Sequence, residues 1–263
     1  MSSADTVIAV LRTGHDDLAG LVSGLGDDDL ARPSGAAEWD VSQVLGHLGS
    51  GAEIGLAVLQ AALKDEPGPG HDFNQSVWDR WDAMSRRERA DGFLRAGQDL
   101  TALYESLDAA ARDNLRIDLG FLPAPADVGT VARMRLSELA LHAWDVRVAF
   151  DEHATLAPDA TAVLLREGPD LFAWIGKVDR LGGRSLVVTV STTEPDSVFA
   201  LRLRAPISVD ADVPERPDGT LALPAEAWLR LVAGRLAPAH TPGGVVTTGA
   251  ADLDLLREVF PGY

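Results

Sequence analysis

Glu138 and His142 stand four residues apart in SELALHAWDVRVA, and His47 lies about 90 residues upstream in VSQVLGHLGS. Two imidazoles and a carboxylate make a nitrogen–oxygen ligand set for a divalent ion. Three protein ligands leave a fourth coordination position open, as catalytic rather than structural zinc is held. Ligand type alone also admits Fe(II), Ni or Mn. Asp145, one turn beyond His142, is placed to orient an imidazole from behind. A structural reading competes. E-x-x-x-H pairs commonly form surface ion pairs, and an isolated core histidine commonly bonds backbone. Arg135–Glu138 and His142–Asp145 would also serve as two buried ion pairs.

The helix that carries the pair, spanning about residues 127–150, bears on this choice. At ~100° per residue, Val131, Arg135, Glu138, His142, Asp145 and Ala149 fall within about 80° of one another. Met134, Leu141 and Val148 flank this ridge on one side, Leu139 and Val146 on the other, while Arg133 and Arg147 point the opposite way. Ionisable groups thus run along the middle of the face that should be buried. Unpaired charge there is costly, and a bound cation compensates it directly. His47 also sits on an apolar face with Val44, Ile54 and Val58, and Gly51 one turn later leaves room beside its imidazole. The other histidines, His15, His71, His153 and His240, lie in polar stretches and are expected to be solvated.

Three further helices complete the N-terminal region. Residues 4–26 carry Val7, Val10, Leu11, Leu18, Leu21 and Val22 at helical spacing. Asp40 with Gln43 reads as a capping box opening a helix that runs to about Lys64 and stops before EPGPG. The polar stretch HDFNQSVWDRWDAM leads into a helix over about 84–110, and a turn-rich segment follows. A shorter helix is expected over 158–176. The pattern then changes. SLVVTV, VFALRLR, ISVD and GTLAL read as strands, PAEAWLRLVAGRL as a helix with Pro in its first turn, and 250–259 as a last helix. The expected fold is α+β: a metal-binding helical bundle over residues 1–176 and a small α/β domain over 177–263.

At 263 residues, two domains are the better expectation. A formal charge of −17 argues against nucleic acid, whose phosphates require clustered Lys and Arg. No apolar run is long enough to span a membrane. The N-terminus has no basic segment leading into an apolar run, so a cytoplasmic protein is expected. Cysteine is absent, so any metal must be held by His and carboxylate, and any thiol chemistry must use a thiol from outside the chain.

Three segments carry a resemblance to a known family. WDVSQVLGHLGS resembles a W-x-x-x-x-V-x-x-H-L segment, SELALHAWDVRVA an E-x-x-x-H-x-W-D segment, and PAEAWLRLVAGRL with GAADLDLLREVF a small C-terminal domain of sterol-carrier-like fold. Together they resemble the mycothiol-dependent maleylpyruvate isomerase family, within the DinB-like metal-binding four-helix bundles. The resemblance implies His47, Glu138 and His142 as ligands of a divalent ion, zinc first, and mycothiol as thiol co-substrate. It further implies addition of the thiolate to a cis double bond, rotation, and elimination to the trans product. Substrate carboxylates then need cationic partners. Arg235 in AGRL is the first candidate and Arg135 the second. The alternatives are a helix C-terminal cation on its dipole for Arg235 and an ion-pair partner of Glu138 or Asp145 for Arg135. Trp144 is expected in the core and Trp39 as a hydrophobic staple before the capping box.

A thiol-dependent isomerase or transferase acting on a small electrophile is therefore the leading reading. A non-catalytic binding or regulatory protein is the alternative, and a metal-dependent hydrolase using Asp145 or Glu138 for proton transfer is the third. Related bundles often form homodimers, but no heptad seam marks an interface here.

Overall fold

Asp40 does open a helix. Its side chain accepts from Gln43 N–H, the Gln43 side chain accepts from Asp40 N–H, and the helix runs Val41–Leu63. In the computed structural model, which describes residues 3–167 and 176–262, the chain divides into two compact units, Met1–Asp151 and Glu152–Tyr263.

The first unit contains helices α1 Ser3–Ser23, α2 Asp27–Leu30, α3 Val41–Leu63, α4 His71–Asp82, α5 Arg86–Ser106, α6 Ala109–Asn114 and α7 Val128–Arg147. Strands β1 Arg116–Ile117 and β2 Ala126–Asp127 pair antiparallel just before α7. The four long helices, α1, α3, α5 and α7, form the bundle. Within it α1 packs on α5 and α7, and α3 packs on the same two. Leu11, Leu18, Val44, Leu45, Leu48, Phe93, Leu100, Tyr104, Leu139 and Val146 are buried between them.

Local signals explain where the boundaries fall. The helix expected over 84–110 begins after Ser85, which shares a capping box with Glu88. It ends at Ser106, and Asp108 caps a separate α6. The polar stretch at 71–82 is itself a helix, α4, anchored by buried Val77 and Trp81. With only that pair buried, four apart, its apolar stripe is too narrow to stand out in the sequence. Trp81 packs where α3 and α5 offer glycine. A Cβ on Gly49 would lie 2.1 Å from the indole, and one on Gly92 2.7 Å.

His15 corrects the expectation of solvation. It is 3 % exposed, its ring lies 5.5 Å from that of Phe93, and it fills the space over Gly97. Burial lowers its pKa, opposed by the charge of Asp16 and helped by those of Arg12 and Arg135. His71 and His153 are exposed as expected, and His240 is half-buried.

In the second unit, helix α8 Pro158–Glu167 covers the described part of the helix expected over 158–176, and residues 168–175 lie outside the description. Strands β3 Leu186–Thr193, β4 Ser197–Leu203, β5 Ser208–Asp210, β6 Gly219–Pro224 and β7 Val246–Gly249 form one sheet in the order β5-β4-β3-β6-β7. Neighbouring strands are antiparallel except β3 and β6, which run parallel. Leu186, Val188 and Val190 alternate into the buried face. Helix α9 Ala225–Val232 follows Pro224, its N-cap, and is buried throughout. Helix α10 Leu253–Val259 is capped by Asp252. The edge strand β7 was not expected, since VTTG has no buried alternation to reveal it. The expected boundary after residue 176 also differs from the observed division after Asp151. Helix α8 packs on α9, so it joins the second core. No helix among the described residues is long and apolar enough to cross a membrane.

Candidate metal centre

His47 projects from the second turn of α3, and Glu138 and His142 project from the middle of α7. His47 Nε2 lies 3.0 Å from Glu138 Oε2, and His142 Nε2 lies 3.6 Å from the same oxygen. The two imidazole centroids are 4.6 Å apart. One ligand atom from each of the three residues falls within 4.8 Å of the others. Among the described residues this is the one group of three or more His, Asp or Glu side chains so arranged.

The separations suit an ion. Tetrahedral zinc with bonds of ~2.0–2.1 Å spaces its N and O ligands about 3.3 Å apart. The two separations to Glu138 Oε2 lie either side of that spacing. The site is accessible as well. The His47 and Glu138 side chains are each 41 % exposed, while that of His142 is 11 % exposed.

His142 is held from behind. Its Nδ1–H donates to Asp145 Oδ2 at 2.8 Å, and Asp145 is fully buried. This contact places the proton on Nδ1 and turns Nε2 toward Glu138. Around Glu138, burial alone would raise the carboxyl pKa. The neighbouring His142 and His47 imidazoles outweigh it and hold the group well below the usual carboxylate range. The oxygen that would meet a cation is thus ionised at neutral pH.

Arg135 sits one turn before Glu138 and is half-buried. Its Nη2 donates to the Leu48 carbonyl at 2.8 Å, bridging α7 to α3 one residue beyond His47. The missing side chain of Gly51 faces Arg135 Nη1, 3.2 Å from where a Cβ would stand. The room left by Gly51 therefore serves the guanidinium rather than the imidazole. Burial lowers the Arg135 pKa, offset in part by Glu138 and Tyr104. Arg235 lies in the second unit, just after α9, where its Nη1 donates to the Ala233 carbonyl at 3.0 Å. Trp144 is buried, as expected.

Trp39 is the residue whose place the sequence did not disclose. Expected as a staple for α3, it sets its indole 5.4 Å from the His47 ring and 6.2 Å from the His142 ring, the latter stacked at 25°. The available signal was its place eight residues before His47. Contact with His142, over a hundred residues on, had none.

Comparison with known proteins agrees with this architecture. Residues 11–147 match the family model described as the mycothiol maleylpyruvate isomerase N-terminal domain. Two solved structures, of a mycothiol-dependent maleylpyruvate isomerase and of a histidine-to-alanine mutant, each superpose with a TM-score of 0.64 at 14 % identity. Each match covers 95 % of this chain and 95 % of the other. No curated protein matches the sequence.

Proposed function

The chain belongs to the mycothiol maleylpyruvate isomerase N-terminal domain family, and on that premise we propose that it is a divalent-metal enzyme using mycothiol on a small electrophile, by cis–trans isomerisation or by thiol transfer. The observation that carries this reading is the convergence of His47 Nε2 and His142 Nε2 on Glu138 Oε2.

In this reading His47, Glu138 and His142 hold the ion, zinc by preference, and Asp145 keeps His142 in the ligating tautomer. A divalent ion so held supplies positive charge that lowers the pKa of an incoming thiol or water. The thiol is external because the chain has no cysteine. In the isomerisation, the thiolate adds to one carbon of the cis double bond and the negative charge passes to the conjugated carbonyl. The new single bond rotates, and elimination of the same thiolate restores the double bond as trans. Atoms balance with no net change in the thiol. Arg235 and Arg135 are the proposed partners for substrate carboxylates. For Arg135 the support is its position one turn from Glu138; for Arg235 it is the family resemblance.

Metal analysis of the wild type and of His47→Ala, Glu138→Ala and His142→Ala, with turnover of maleylpyruvate and a panel of electrophiles with and without mycothiol, tests the proposal. About one equivalent of divalent metal in the wild type, its loss in the variants, and mycothiol-dependent turnover are expected. Full activity of metal-free protein, or hydrolysis without added thiol, would overturn it.

A further inference from the structure

The segment between α2 and α3 is built to deliver one side chain. Gly35 N–H donates to the Asp145 carbonyl at 2.8 Å, and a Cβ at Gly35 would collide with Trp144, Val148 and the Asp145 backbone. The loop therefore approaches α7 as closely as a glycine permits. Ser34 Oγ–H donates to the Trp39 carbonyl at 2.9 Å, Ser34 N–H donates to the same carbonyl, and Pro33 bridges Asp40. Glu38 then takes φ 67°, a left-handed conformation that non-glycine residues adopt at a cost. The turn it makes lays Trp39, 36 % exposed, over the rings of His47 and His142. Asp145 joins both halves of the arrangement, since its carboxylate holds His142 and its carbonyl holds the loop.

We propose that Trp39 is a positioning residue of the metal centre: its indole holds both imidazoles in the ring orientations that bring their Nε2 atoms onto Glu138. This rests on the metal-site reading above. An imidazole on α3 can rotate about its side-chain bonds; Glu138 holds the Nε2 end of His47, and its side chain is otherwise 41 % exposed. An aromatic ring tilted against it at 46° favours one ring plane and excludes water from that side. The strained backbone at Glu38 is a local cost borne where the loop meets the ligands.

The test is metal affinity rather than turnover, on the full chain. Zinc dissociation constants, measured by competition with a chromophoric chelator, are compared for wild type, Trp39→Ala and Trp39→Phe. Trp39→Ala is expected to bind about tenfold more weakly, the scale of lost outer-shell support. Trp39→Phe should stay within about threefold, and the apo melting temperatures of all three should coincide. Cobalt(II) gives a second readout. It should quench wild-type tryptophan emission more than that of Trp39→Phe, because the indole lies against the ligands. Equal affinities across the series, or equal quenching by cobalt, would overturn the assignment while leaving the metal site standing. Wild-type protein that binds neither zinc nor cobalt would overturn both.

Discussion

His142 Nδ1–H donates to Asp145 Oδ2 at 2.8 Å, one helical turn away, and the carboxylate that receives it is wholly buried. A buried anion on the protein side of an imidazole, with the other ring nitrogen turned toward Glu138, raises the basicity of that nitrogen and settles the ring orientation in one contact.

Replacing that carboxylate separates the two effects. Asp145→Asn keeps the shape but not the charge and offers a competing donor. Zinc affinity is expected to fall roughly 10- to 100-fold with the helical circular dichroism retained. Isothermal titration with zinc checks this, and wild-type affinity in the variant would remove Asp145 from the site.

His15 gives a pH dependence with a definite sign. Its pKa in the folded protein lies below the ordinary 6.5, first because of burial. The unfolded chain therefore binds the proton more tightly. Stability is complete above about pH 6.5 and is lost as the pH falls through the lower folded pKa. One such group contributes a slope of at most about 1.4 kcal/mol per pH unit. Urea unfolding at pH 7.5 and 5.5 should show a smaller drop for His15→Leu than for wild type.

Gly49→Ala tests the packing of α4 on the bundle. Alanine in mid-helix ordinarily gains about 1 kcal/mol over glycine. Here the added methyl would stand 2.1 Å from the Trp81 ring, and overpacking of this kind costs about 1–3 kcal/mol. A net loss of stability by chemical denaturation is expected. A stabilised variant would mean that α4 moves aside freely.

Asp40→Ala removes the cap of α3 together with contacts to Ser42 and Arg86. Loss of such a cap costs roughly 0.5–2 kcal/mol. Burial raises the Asp40 pKa, but the hydrogen bonds from Ser42, Arg86 and Gln43 N–H outweigh it and leave the carboxyl below its ordinary value. Its contribution is therefore present above about pH 4 and fades as the pH falls further. The wild-type advantage over the alanine variant should shrink between pH 5 and 2 in thermal melts.

Helices with a strong local signature were legible without coordinates. The Asp40–Gln43 box sits at the start of α3, and the ridge of Arg135, Glu138, His142 and Asp145 runs along α7 as expected. Elements whose signal is shared with a partner were not. Helix α4 shows its purpose only when Trp81 meets Gly49 and Gly92, and β7 only when it pairs with β6. Buried His15 was hidden for the same reason: the cavity over Gly97 belongs to α5.

Side-chain periodicity is a property of one helix, and it sufficed to place Glu138, His142 and Asp145 on a single face and to single out His47 on another. Distance between faces is not such a property. The 3.0 Å approach of His47 to Glu138, the bridge from Arg135 to the Leu48 carbonyl, and the indole of Trp39 over two imidazoles depend on how α3, α7 and the loop before α3 pack. Packing is decided by the shapes of many residues at once, and no single stretch of the chain contains it.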